Sequence, residues 1–220
     1  MSNKLQQNRI PIAITINVVI TIVEITIGVL IGSLAIISDA IHNFFDIGSM
    51  GLSWFGEKVA EKPNDHKKSY GYKRVEILIA LANSSILFVS VSYIAIESIK
   101  RLINPEPANG SWIIITALIA FIGNSIATKL LHNHSEDNLN LKSAFLHSLQ
   151  DALFSLGVVV AGIGIVLLKW NFLDPLISIV LSILILKEAV TLILKTVNIL
   201  MESVPENIDF QNEIRYFRYK

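Results

Sequence analysis

Of the 220 residues, 52% are hydrophobic and only 16% charged, and the mean hydropathy is +0.57, which argues against a water-soluble domain and makes lipid the expected solvent. With no cysteine, disulfides, thiolate metal sites and cysteine nucleophiles are excluded, so metal chemistry must rest on His and carboxylate. The formal net charge of +0 gives no support for a nucleic-acid partner, which would call for a basic face or stripe.

The chain opens on a mostly polar ten-residue segment, and the apolar run that follows contains Glu24 and no small-residue cleavage site, so it reads as an uncleaved first span. A hydrocarbon core about 30 Å thick needs roughly 20 apolar helical residues. Stretches of that kind cover residues 10–30, 36–55, 77–99, 113–131, 141–168 and 172–200. The expected fold is therefore all-α: an integral membrane bundle of six transmembrane helices over residues 1–204, followed by a short tail, 205–220. Gly28 with Gly32, and Gly157 with Ala161, are small pairs expected to let helices approach closely. Asp39 is expected to cap or hydrogen-bond the start of the second span. Glu24, Glu97, Asn17, Asn83 and Asn124 are expected to hydrogen-bond between helices, a proton path being the sharper alternative. Asp174 and Pro175 are expected to open the sixth helix as N-cap and first-turn proline. In its second half, Lys187, Glu188 and Lys195 either snorkel to the interface or face the bundle.

Orientation follows from the short loops. Lys58, Lys62, Lys67, Lys68, Lys73 and Arg74 lie between spans two and three, and Lys129 and Lys142 flank the fourth loop. The other side offers only Lys100, Arg101 and Lys169, so both termini are expected in the cytoplasm and the chain in the inner (plasma) membrane.

Spans two and five each contain a His-x-x-x-Asp, formed by His42 with Asp46 and by His147 with Asp151. Residues at i and i+4 share a helix face with Cβ atoms about 5–6 Å apart, close enough to share one cation. Two such helices offer two imidazole nitrogens and two carboxylate oxygens, a tetrahedral set suited to Zn²⁺. An ionisable side chain at the bilayer centre costs roughly 2.5–3.5 kcal/mol on insertion scales and persists mainly where it is used. The plain alternative is that the four side chains pair with one another and hold the two spans together. Because protons compete with metal for His and carboxylate, one ion's exit can be coupled to proton uptake. The repeat of the motif in spans two and five also suggests two related halves with the substrate between them.

Several segments carry a resemblance: Ser33-Leu-Ala-Ile-Ile-Ser-Asp-Ala-Ile-His42, Tyr70-Gly-Tyr-Lys-Arg-Val-Glu-Ile-Leu78, Asn138-Leu-Asn-Leu-Lys-Ser-Ala-Phe-Leu-His147, Asp174-Pro, and Leu200-Met-Glu-Ser-Val-Pro-Glu-Asn207. The chain resembles the cation diffusion facilitator family, in its bacterial cadmium-cobalt-zinc resistance branch. That resemblance implies export of Zn²⁺, with Cd²⁺ or Co²⁺ as further cargo, in exchange for protons by alternating access. It also implies His42, Asp46, His147 and Asp151 as the transport site, with Zn²⁺ a substrate and no resident cofactor or catalytic residue. Members with Asp in place of the first His resemble this chain otherwise, so His42 points to Zn²⁺ over Cd²⁺. Some relatives bind a second metal in the loop after span two; Asp65 and His66 are present here, but Tyr72 stands where some have His. The family's cytoplasmic C-terminal domain, which binds regulatory metal and dimerises, is expected to be lacking, leaving at most a weak homodimer.

Two other functions compete. An integral-membrane metalloenzyme needs an open coordination position and a general base, and no His-Glu-x-x-His motif is present. A non-transporting metal-binding partner subunit is the third reading. His132, His134, Glu136 and Asp137 in the fourth loop could collect metal, but a short solvated turn is the favoured reading, since loops are usually polar.

Overall fold

A computed structural model describes residues 2–63, 71–132 and 139–203, leaving the side chains of residues 2–10, 53–54, 139–141 and 143 aside. Asp65, His66, Lys67, Lys68, His134, Glu136, Asp137 and the tail from residue 204 lie outside the described residues. The described residues form six α-helices: α1 (Ser2–Ile31), α2 (Leu34–Ala60), α3 (Arg74–Ile103), α4 (Gly110–His132), α5 (Leu139–Leu168) and α6 (Leu173–Leu200). Five of these are long and apolar enough to cross a membrane. The exception is α2, whose first half holds Asp39, His42, Asn43 and Asp46 among its apolar residues.

Large apolar side chains on every helix point outward, among them Val29, Phe55, Val89, Ile122, Val160 and Ile183. A soluble protein rarely leaves so wide an apolar surface uncovered. Inside, Ala35, Ile36, Val91, Ile113, Val158, Leu181 and Ile185 pack as a core. Lys187, Glu188 and Lys195 are all exposed on α6.

Two helix pairs pack most extensively, α4 with α5 and α3 with α6, while α1 and α2 pack on each other and on α4 and α3 respectively. Between α2 and α5 contact is sparse. At the start of α3, Arg74 makes an ion pair with Glu202 just past α6, fixing the two helices antiparallel with those ends together.

Some local expectations are corrected. Gly28 does let α1 approach α2, because a Cβ there would meet Ile36 Cγ2 at 3.0 Å, but Gly32 serves the turn instead, with φ +67° after the last residue of α1. Gly157 has open space around it; the close α4–α5 approach falls at Gly162, where a Cβ would meet Ile114 Cγ1 at 2.7 Å. Nor is Asp39 the cap of α2. Ser33 is, accepting from the Ile36 amide at 3.3 Å, and Asp39 lies inside the helix. Likewise Asp174 does not cap α6, whose N-cap position is Phe172. Its carboxylate reaches across to α2 and accepts from Ser33 Oγ at 2.5 Å, Leu34 N at 2.9 Å and Ala35 N at 3.3 Å. Those amides are orphan donors of the first turn, so an acid from α6 completes the N-terminus of α2 and complements its dipole.

Candidate metal centre

α2 and α5 meet where their His-x-x-x-Asp motifs face each other. His42 is eight residues into α2 and His147 eight into α5, about 12 Å along each helix at 1.5 Å per residue. The helical period then aligns Asp46 and Asp151 with them. His42 Nε2 stands 3.4 Å from Asp46 Oδ2 and 3.9 Å from Asp151 Oδ1. His147 Nε2 stands 3.5 Å from Asp46 Oδ2 and 3.6 Å from Asp151 Oδ2. Ligand atoms of His42, Asp46 and His147 all fall within 4.8 Å of one another.

These spacings are close to a coordination shell. Ligands about 2.0–2.1 Å from a tetrahedral centre stand about 3.3 Å from each other. Mutual pairing fits less well: His42 Nε2, Asp46 Oδ2, His147 Nε2 and Asp151 Oδ1 are buried atoms without a hydrogen-bond partner. A buried polar atom left unpaired costs about 1–3 kcal/mol. Four in one place describe a cluster whose electrostatic complement is a cation. Packing rather than hydrogen bonding holds the His42 ring, with Phe154 at 6.3 Å and His147 at 6.0 Å between ring centres.

Exposure is uneven around the ring. His42 and Asp151 are buried, while the side chains of Asp46 and His147 are 24% and 30% exposed. His147 and Asp151 line a cavity of ≈ 70 Å³, bounded by residues of α1, α2, α4 and α5 that include Asn17, Met50 and Asn124. About 10–15 Å³ suffices for one water, so several fit. This cavity lies toward the N-terminal end of α1 and the C-terminal end of α2.

Away from the cavity the bundle is closed by polar groups as well as by the core. Asn43 donates to Glu24 Oε2 at 3.1 Å, joining α2 to α1, and Ser155 donates to Asp39 Oδ2 at 3.3 Å, joining α5 to α2. Ser38 and Ser98 both hydrogen-bond Ser178 at 2.8 Å, linking α2, α3 and α6. Glu24 thus makes the interhelical bond expected of it, and so does Asn83, which donates to Ser49 and to the Phe45 carbonyl. Glu97 does not: it pairs with Lys100 and Arg101 of its own helix. Asn17 Oδ1 and Asn124 Nδ2 have no partner at all. His132, at the end of α4, is exposed and lies against Phe145, with ring centres 5.3 Å apart.

Asn43, Ser155 and Phe154 were not singled out in the sequence, although a signal existed. Each motif continues at helical spacing, Asp39-x-x-His42-x-x-x-Asp46 on α2 and His147-x-x-x-Asp151-x-x-x-Ser155 on α5. One polar face therefore extends past the ligands toward the closed side.

A cation efflux transmembrane domain matches residues 10–201. The chain is similar to a cadmium, cobalt and zinc/H(+)-K(+) antiporter of Bacillus subtilis (strain 168), 36% identical over 196 residues that make up 88% of this chain and 63% of that protein. It is similar to the zinc transporter ZitB of Pectobacterium atrosepticum, 31% identical over 92% of this chain and 64% of that one. The metal cation efflux system protein CzcD of Cupriavidus metallidurans gives the same three figures. The chain thus spans just under two thirds of the length of these relatives. The domain match, the apolar outer surface and the bacterial relatives make it a multi-pass protein of the inner membrane. Since the matched domain takes in all four ring residues and reaches from α1 to the end of α6, the chain belongs to the cation efflux family, the cation diffusion facilitators.

Proposed function

We propose that the chain exports Zn²⁺ from the cytoplasm in exchange for protons by alternating access, with His42, Asp46, His147 and Asp151 binding the ion in transit. The observation that carries this reading is a cluster of unpartnered ligand atoms on two helices that otherwise barely touch: Asp46 Oδ2 lies 3.4 Å from His42 Nε2 and 3.5 Å from His147 Nε2, and Asp151 Oδ1 lies 3.9 Å from His42 Nε2. Two carboxylates and two neutral imidazoles together balance a divalent ion. Nitrogen and oxygen donors in a tetrahedron suit Zn²⁺, and Cd²⁺ or Co²⁺ are the alternative cargo. The relatives named above are transporters or efflux proteins by name, which favours carriage over hydrolysis at a metal-bound water. All six helices are read as spans with both termini in the cytoplasm, so the cavity beside His147 and Asp151 opens inward. Proton exchange follows from the ligands, because each imidazole must lose its proton to bind metal.

Proteoliposomes test the reading. Zn²⁺ should leave the compartment that the cavity faces, faster with a proton gradient directed into that compartment, and the internal pH should change as it does. Zn²⁺ flux indifferent to both pH values would make the chain a uniporter, and binding without flux would make it a sensor or partner subunit.

A further inference from the structure

The cavity holds two groups that the four-residue ring does not explain. Asn124 of α4 is only 2% exposed, yet its Nδ2 has no hydrogen-bond partner, and Asn17 of α1 has a buried Oδ1 in the same position. Both side chains line the cavity onto which His147 and Asp151 also face. An unpaired buried amide is costly, and an apolar residue of similar size would avoid the cost. The two amides therefore stabilise something other than the helices that bear them. One offers an acceptor and the other a donor, which is the pair that a bridging water completes.

Position ties Asn124 to the ring. Ser148, the neighbour of His147, donates to the Asn124 carbonyl at 3.1 Å, and Thr128 donates to the same carbonyl at 2.7 Å. Thr128 and Ser148 are themselves 3.1 Å apart. That knot of hydroxyls fixes the α4 turn bearing Asn124 against the α5 turn bearing His147, while leaving the amide side chain free.

We propose that Asn17 and Asn124 form a transit station for the hydrated divalent cation, immediately before the ring. Waters around a divalent cation point their hydrogens outward, and the Asn17 amide oxygen accepts from them. As the ring replaces those waters, a shed water accepts from Asn124 Nδ2. Neutral amides suit such a station because a site on a conduction route must bind weakly enough to release, whereas a carboxylate would hold the ion. This inference rests on the reading of the ring as the Zn²⁺ site.

The test is Zn²⁺ binding to the full chain in detergent, followed by stopped flow and at equilibrium, for wild type, Asn17→Leu, Asn124→Leu and Asn124→Gln. A station on the route speeds arrival and departure alike. Each Leu variant should therefore lose association and dissociation rates together, by about tenfold, which corresponds to 1.4 kcal/mol at the barrier. Kd should stay within about twofold of wild type, and Asn124→Gln, which keeps the amide, should keep most of the rate. Leu variants that bind at wild-type rates would overturn the station while leaving the ring intact. A weakened Kd with unchanged association would overturn it too, by making these residues props for the ring geometry. Wild-type protein that binds no Zn²⁺ would bring down the ring and the station together.

Discussion

Replacing Asp151 with Asn is the sharpest test of the ring, because it changes one charge and no volume. The Asp151 carboxylate faces both imidazoles, at 3.9 and 3.6 Å, and is 1% exposed. Binding free energies of four-ligand Zn²⁺ sites run to about 10–16 kcal/mol, and a quarter of that is about 2.5–4 kcal/mol. The variant should then bind roughly 70- to 900-fold more weakly. Thermal melting in detergent reads this directly. At a Zn²⁺ concentration 100 times the wild-type Kd, the ion stabilises wild type by about 2.7 kcal/mol, and a variant with 100-fold weaker affinity by about 0.4 kcal/mol. For a chain of this size those values correspond to shifts of about 5–11 °C and about 1–2 °C. Without metal the variant should melt no lower than wild type, since Asp151 Oδ1 has no hydrogen bond to lose. A variant with the full Zn²⁺ shift would refute the ligand role, and one that melts lower without metal would show that the carboxylate is a structural partner of the histidines.

Further outcomes follow from the same geometry. His42→Asp should raise transport of Cd²⁺ relative to Zn²⁺ in competition assays, because a third carboxylate permits a larger and less regular shell; an unchanged ratio counts against it. Zn²⁺ affinity should fall as the cavity side is acidified, because protons compete with metal for His and carboxylate, with protons released on binding that a weakly buffered titration can count. An affinity indifferent to pH would contradict competition between protons and metal at the ring. Asp174→Ala should lower the melting free energy by about 2–4 kcal/mol, because it strips the acceptor from Ser33 Oγ and two backbone amides, with Asn recovering part of the loss. An unchanged melting temperature would mean that water satisfies the start of α2 equally well.

What the sequence reveals most clearly is whatever has a period or a solvent preference. Apolar length located five of the helices as spans, and the i, i+4 spacing put His42 with Asp46 and His147 with Asp151 on shared faces, because both are properties of one helix read alone. Misreadings cluster where the answer depends on a second helix. Asp174 has the sequence position of a cap for its own helix, yet its carboxylate completes α2, a contact separated by 140 residues that no local pattern encodes. Gly157 and Gly162 are equally small, and only the placement of Ile114 on α4 decides which one the packing needs. Asn17 and Asn124 look alike in sequence to Asn83, which does bond across helices; the difference is that a cavity separates them from any partner.

The arrangement of contacts also bears on how a bound ion could move helices. α5 packs chiefly with α4, whereas α2 is tied to α6 by the Ser33–Asp174 and Ser38–Ser178 bonds and to α3 by Asn83. Ring residues from the two groups meet across a seam with few other contacts to hold it. Under the exporter reading, an empty ring leaves two carboxylates facing each other across that seam, and a divalent ion replaces their repulsion with a shared attraction. A ligand can shift a conformational equilibrium only by the difference in its affinity for the two states. Here that difference is concentrated at one place, because closing or opening the seam changes the ligand spacing directly and disturbs little else. Among the described residues, the Ser155–Asp39 bond ties α2 to α5 outside the ring, and it lies on the closed side. Release to that side therefore requires this bond to part, and Ser155→Ala should favour the form open on that side while leaving the four ligands in place.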